Sequence, residues 1–215
     1  MNIAIIGAGN VGKALARAGV RAGHDITLSA AHPEHAEQAA RETGARAAAS
    51  SREAAASAEL VILAVPYGAL NDVVDELGDT LAGKTVVDTT NQVAPDFSGL
   101  AVEGTSAAEQ IQQRAPQARV VKALNTAFAA RQENPEVEGV RLDGYVAADD
   151  DEARARVLAF VESIGFRPVD AGSLKLARGL EWLGLLNMVL QIRHGWSWQG
   201  GWKYIEPAAA PAGAR

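Results

Sequence analysis

The sequence contains no cysteine. Disulfides, thiolate metal sites and cysteine nucleophiles are therefore excluded. Histidine is scarce. His24, His32, His35 and His194 are scattered, and His32 and His35, three apart, have no acidic or histidine cluster to complete them, so no metal is expected. Positive charge is not in excess: 20 Lys and Arg stand against 26 Asp and Glu, a net charge of -6. That balance argues against nucleic acid or an anionic membrane surface as partner. No uninterrupted apolar run reaches membrane-spanning length, because the most apolar stretch near the C-terminus is broken by Lys175, Arg178, Glu181, Asn187 and Gln191. No basic leader precedes the first apolar strand, so the expectation is a soluble cytoplasmic protein.

What is present is an alternation of apolar strands and helical segments. Strands are expected at Asn2–Gly7, Ile26–Ser29, Arg46–Ala48, Leu60–Val65, Thr85–Asp88, Arg119–Ala123, Gly144–Ala148 and Arg167–Val169. Helices are expected at Val11–Ala22, Pro33–Thr43, Arg52–Ala58, Ala69–Leu81, Ser106–Arg114 and Asp151–Ile164. Gln92–Gly104 and Arg131–Leu142 read as loops. The continuous apolar run Leu60–Val65 suits a parallel strand covered on both faces. The fold class is therefore α/β: a Rossmann-like, doubly wound, mostly parallel sheet. From Ser173 a long helix runs to about Arg193, with one narrow polar stripe on an apolar cylinder, which predicts burial on most sides. The organisation expected is a dinucleotide-binding domain over 1–172 and a C-terminal helix with a Trp-rich extension over 173–215. The Ala/Pro/Gly-rich end from Glu206 reads as a loose tail.

Between the first strand and first helix stands Gly7-Ala8-Gly9-Asn10-Val11-Gly12. A glycine-rich turn in that context is a dinucleotide fingerprint. Gly7 allows the tight turn, Gly9 lets backbone approach a pyrophosphate, and Gly12 lets helix and strand pack closely. The helix N-terminus offers free N–H groups to the phosphates. The second strand ends in Ser29-Ala30-Ala31-His32, without the acid that would hold a free ribose diol. Ser29 and His32 can hydrogen-bond a 2′-phosphate, which points to NADP, with NAD the alternative.

Ligands in such sheets lie beyond the carboxyl ends of the strands. Those ends read Pro66-Tyr67, Thr89-Thr90-Asn91, Leu124-Asn125-Thr126 and Asp170-Ala171-Gly172-Ser173. They supply hydroxyls and amides but no Ser-His-Asp set and no paired carboxylates. Asp88 and Asp170 read as turn or helix caps, and Lys122 as a salt-bridging strand residue. No catalytic acid or base is assigned. Such a site suits hydride transfer between two bound cofactors, where the protein supplies distance, orientation and exclusion of water.

Several stretches resemble a known family. They are Ile5-Ile6-Gly7-Ala8-Gly9-Asn10-Val11-Gly12-Lys13-Ala14-Leu15-Ala16, Asp88-Thr89-Thr90-Asn91, Ser106-Ala107-Ala108-Glu109, Arg119-Val120-Val121-Lys122-Ala123-Leu124-Asn125-Thr126 and Val169-Asp170-Ala171-Gly172-Ser173-Leu174 with Arg178 and Glu181. The chain resembles the NADP-dependent oxidoreductases of coenzyme factor 420, an 8-hydroxy-5-deazaflavin. The resemblance implies hydride exchange between NADPH and the deazaflavin as co-substrate, in a homodimer. It implies that Gly7, Gly9, Asn10, Val11 and Gly12 hold the pyrophosphate and that Val65 and Pro66 line the path from adenosine to nicotinamide. Asn91, Asn125 and Thr126 would lie near the stacked rings. Where the family's second strand commonly ends in Ser-Arg, this chain has Ala30 and Ala31.

Two other readings stand beside this one. A reductase of a small carbonyl or imine needs a proton donor, for which Lys122 and Tyr67 are the nearby residues. A non-catalytic NADP(H) sensor needs only the turn. Trp182, Trp196, Trp198 and Trp202 all fall near the C-terminus. They read first as a dimer interface or a satellite core, and second as an aromatic wall for a flat ring.

Overall fold

Strand β1 (Asn2–Ile6) divides its side chains between two cores, Ile3 and Ile5 on one side, Ala4 and Ile6 on the other. It lies near the middle of an eight-stranded sheet in a computed structural model that describes residues 1–206. On one flank it pairs in parallel with β2 (Asp25–Ser29), which pairs with β3 (Arg46–Ala47). On the other flank it pairs with β4 (Leu60–Leu63), followed by β5 (Thr85–Asp88) and β6 (Arg119–Ala123), all parallel. The chain thus moves outward in opposite directions from the gap between β1 and β4, and that gap is where a doubly wound sheet opens its crevice.

Helices α1 (Asn10–Arg21), α2 (Pro33–Thr43) and α7 (Asp151–Ser163) cover the face carrying Ile3, Ile5, Leu28 and Val121, with Phe160 of α7 packed into that core. Helices α3 (Ser51–Ala56), α4 (Leu70–Leu77) and α5 (Ala107–Arg114) cover the face carrying Ile6, Val61, Leu63 and Val120. Ser50 and Ser106 cap α3 and α5 by accepting from Glu53 N and Glu109 N. Two further strands complete the sheet. β9 (Asp143–Ala148) runs antiparallel against β6, and β10 (Arg167–Gly172) runs parallel beside β9. Their starts therefore lie at the same end of the sheet as the carboxyl end of β6.

Several expectations are corrected. The polar stretch read as a loop from Arg131 to Leu142 forms α6 (Ala129–Glu133) and a hairpin of β7 (Glu136–Val137) and β8 (Val140–Arg141). Glu138 and Gly139 both take positive φ, 50° and 79°, as a two-residue hairpin turn requires. Helix α6 packs on α1, where Arg17 and Arg21 reach Glu133. The helix expected from Ala69 to Leu81 is interrupted: single 3₁₀ turns at Tyr67–Ala69 and Gly78–Leu81 flank α4, and Gly78 sits at φ 47°. Strand β4 stops at Leu63, and β10 runs on to Gly172.

The largest correction concerns α8 (Ala177–His194). Its polar residues Glu181, Asn187 and Gln191 are buried, whereas Trp182, Leu186 and Ile192 are 54%, 47% and 51% exposed. Burial on most sides was expected; instead the inner part of the polar stripe faces the protein, and an apolar side faces outward. Buried polar groups are tolerated where they find partners, and the end of the sheet provides them. Residues 196–206 then fold back as a strap toward β9. Asp143 N donates to Trp202 O at 2.9 Å, and Trp198 packs edge-on against Phe128 with centroids 5.3 Å apart. The end read as a loose tail lies, from residue 207 onward, outside the described residues. No helix among the described residues is long and apolar enough to cross a membrane.

Candidate active site at the mouth of the sheet

The glycine turn lies at the β1–β4 gap. Gly7, at φ 117°, donates its N–H to Ser29 O at 2.9 Å, and a side chain there would drive into the carbonyl of Ala64. A side chain at Gly12 would drive into the carbonyl of Gly7. Both positions therefore require glycine. Gly9 is different: nothing among the described residues lies within 4 Å of where its Cβ would stand. Its backbone and that of Asn10 are exposed at the start of α1, whose first turn carries no acidic residue. This open cradle of N–H groups at a helix N-terminus fits a pyrophosphate. Val11 is half-buried beside the cradle.

Toward the adenosine end, His32 is exposed at the start of α2. Ser29 is fully buried and its hydroxyl has no partner among the described residues, so what it supplies to the turn is its carbonyl. This corrects the expectation of a Ser29 hydroxyl at the phosphate, because the side chain does not reach the surface. His35 was weighed by sequence reasoning only as a metal ligand, not as a neighbour of the nucleotide. Its ring meets that of His32 edge-on at 5.4 Å, and with Ala8, Lys13, Gln38 and Glu42 it borders a hollow of about 170 Å³. The signal was in plain view, since the two histidines share one face of the first turn of α2.

Across the gap, Val65 is half-buried and Pro66 exposed after β4. Beyond β5 and β6, Asn91 and Asn125 lock together. Asn91 Nδ2 donates to Asn125 O, and Asn125 Nδ2 donates to Asn91 Oδ1, both at 2.9 Å. Asn125 also donates to Leu180 O at 2.8 Å, and Asn187 donates to Thr126 O at 3.1 Å. The structure therefore brings Asn91, Asn125 and Thr126 together under α8. Leu124, buried, takes φ 62° as the chain turns out of β6, an uncommon conformation for such a side chain. Strain of this kind gathers at functional sites.

Beneath the asparagines lies a charged cluster that strand-by-strand reading did not assemble. Lys122 Nζ donates to Asp88 Oδ2 at 2.7 Å, to Thr90 O at 2.6 Å and to Glu181 Oε1 at 2.7 Å, and all three side chains are 0% exposed. The expectation of no paired carboxylates is thus corrected. Asp88 and Glu181 meet one lysine, across 93 residues of sequence that spacing alone does not bridge. Asp88 Oδ1 accepts from Thr90 N and Oγ1 at 2.8 and 2.7 Å. Glu181 Oε1 also accepts from Ala107 N at 2.8 Å, and its Oε2 has no partner among the described residues. Burial raises the Glu181 pKa, and the nearby Asp88 charge adds to that, against the opposing pull of Lys122 and Ala107 N. Tyr67 donates to Gln110 Oε1 at 2.9 Å. Neither Lys122 nor Tyr67 is a free proton donor at the mouth.

The fold and these contacts agree with what the chain is similar to. Residues 2–92 match the family model of NADP oxidoreductases that depend on coenzyme F420, the deazaflavin factor 420. The F420-dependent NADP reductase of Methanothermobacter thermautotrophicus is 31% identical over 212 residues, covering 90% of each chain. The rat metalloreductase STEAP3 is 31% identical over 183 residues, 83% of this chain but 35% of that protein. A crystal structure from Arthrobacter sp. FB24, described as a candidate F420-dependent NADP reductase, superposes with a TM-score of 0.86 at 30% identity, covering 96% of this chain and 100% of that one. The chain belongs to the family of NADP oxidoreductases that depend on coenzyme F420.

Proposed function

We propose that this protein transfers a hydride between NADP(H) and the deazaflavin ring of coenzyme F420. One observation carries the reading. At the mouth the polar side chains Asn91 and Asn125 are neutral amides bonded to one another, while Lys122, Asp88 and Glu181 are buried and engaged with one another. Hydride passage between two rings needs distance and orientation, and it asks for no general base on the protein. Gly7, Gly9, Asn10, Val11 and Gly12 hold the pyrophosphate, with Ser29 seating the turn through its carbonyl. His32 faces the adenosine 2′-phosphate, Val65 and Pro66 line the path to the nicotinamide, and Asn91, Asn125 and Thr126 border the rings. Residues 1–172 are the dinucleotide domain, and α8 with its strap closes the second side of the pocket. The carbonyl or imine alternative loses support because its two proton donors are occupied.

The outward face of α8 exposes Trp182, Leu186 and Ile192, with Val102 lining a hollow beside Trp182 and Phe97 one beside Ile192, an apolar surface that suits a second copy of the chain. Leu186→Glu then turns a dimer into a monomer in sedimentation experiments; a wild type already monomeric at micromolar concentration removes that part of the reading. Mixing the protein with NADPH and oxidised F420 and following the deazaflavin absorbance tests the activity. Steady loss of the oxidised band is expected. Tight NADPH binding without turnover or F420 binding overturns the proposal.

A further inference from the structure

The Lys122 cluster is an odd use of a protein interior. A cation buried between two carboxylates loses its hydration, and an apolar trio of similar size would hold the core as well. What the charges do here that apolar groups would not is grip the backbone at Thr90. Lys122 Nζ holds Thr90 O, and Asp88 Oδ1 holds Thr90 N and Oγ1. The next residue is Asn91, whose amide is locked to Asn125.

Glu181 brings the C-terminal helix into this grip. It accepts from Lys122 and from Ala107 N at the start of α5. Three residues on, along the same face of α8, Gly184 presses on Asn91, and only a hydrogen fits there: a Cβ would lie 3.0 Å from Asn91 Cγ and 3.1 Å from Asn125 O. One carboxylate therefore fixes both the turn below the asparagines and the helix above them. Glu181 touches neither cradle nor ring itself.

We infer that Glu181 is a positioning residue for hydride transfer, setting the Asn91–Asn125 pair through Lys122 below and Gly184 above. The inference rests on the function proposed above. An amide can replace the carboxyl, because the working contacts from Lys122 and Ala107 N are both accepted by Oε1, and Oε2 has no partner among the described residues.

Two variants test it. Glu181→Gln keeps an acceptor for Lys122 and Ala107 and should leave kcat within about threefold of wild type. Glu181→Ala removes the acceptor and should lower kcat by tenfold or more, the order that misplacement of reacting groups costs. The dissociation constant for NADPH, set at the distant glycine cradle, should stay within about twofold in both. Side-chain amide resonances of Asn91 and Asn125 should shift in Glu181→Ala and hold in Glu181→Gln. Full kcat in Glu181→Ala, parallel loss of NADPH binding and turnover, or Glu181→Gln falling as far as Glu181→Ala each overturns the inference. The amide resonances separate the two levels of argument. A wild-type protein inert toward F420 removes the proposed function, whereas amides unmoved in Glu181→Ala remove this inference.

Discussion

Gly184→Ala sets two effects of known size against each other. Alanine is favoured over glycine inside a helix by about 1 kcal/mol, so on propensity alone the variant should melt higher. The added methyl, however, would overlap Asn91 Oδ1 and stand 3.0 Å from Asn91 Cγ and 3.1 Å from Asn125 O. Asn91 has no free rotation with which to yield, because both ends of its amide are bonded to Asn125. Overpacking of this kind costs about 1–3 kcal/mol. The net effect is a loss of about 1 kcal/mol, a fall of roughly 2–4 °C in Tm for a chain of this size. Turnover should suffer more than stability. Withdrawal of Asn91 by a large fraction of an ångström displaces the ring site, and a misplacement near 1 Å costs up to about 10²-fold in rate. The assay pairs a thermal melt with steady-state reduction of F420 by NADPH and a separate NADPH titration. A variant that melts higher and turns over at the wild-type rate would refute the seating of α8 on the asparagines.

Further predictions follow from other parts of the structure. Replacing His32 and His35 together by alanine should raise KM for NADP by about tenfold or more, the loss expected for hydrogen bonds to a charged group, while leaving KM for NAD unchanged; an unaltered NADP-to-NAD ratio counts against the pair as phosphate readers. Lys122→Met leaves two carboxylates buried without their cation and should cost about 3–5 kcal/mol, read as a large drop in Tm; an unchanged melt would mean that the cluster is not closed in solution. The strap should loosen in acid. Burial would raise the Asp143 pKa, but Arg167, Tyr204 N and Lys203 outweigh it and hold the carboxyl below its ordinary value of 3.8. A depressed folded pKa contributes stability above the unfolded value, and that contribution is lost as pH falls through the folded value. Tryptophan fluorescence should therefore shift to the red below about pH 4 in the wild type, and Asp143→Asn should already show the shifted spectrum at neutral pH; identical spectra for the two at pH 7 would contradict the anchor.

Much of the fold was legible because its signals are local. The alternation of apolar runs with helical segments located nearly every strand, and Pro33 at the first turn of α2 fixed that helix to the residue. The glycine turn was legible for the same reason, since backbone sterics at Gly7 and Gly12 act within a few residues and against one neighbouring strand. The hairpin at β7 and β8 was missed because each strand has two residues, too few for a period to show. The orientation of α8 was missed for a deeper reason. A polar stripe faces water unless buried partners await it, and those partners, Lys122, Ala107 N and Thr126 O, come from segments 59 or more residues away. The same distance in sequence hid the cluster of Asp88, Lys122 and Glu181, although each of the three lay within a stretch already matched to the family.

The central claim is that hydride passes directly from one ring to the other at the mouth of the sheet. NADPH labelled with deuterium at nicotinamide C4, on one face and then the other, tests it with F420 as acceptor. One of the two labelled forms should deliver its deuterium to the reduced deazaflavin, with none appearing in water. Deuterium released to solvent, or retained on the nicotinamide from both forms, would contradict direct transfer.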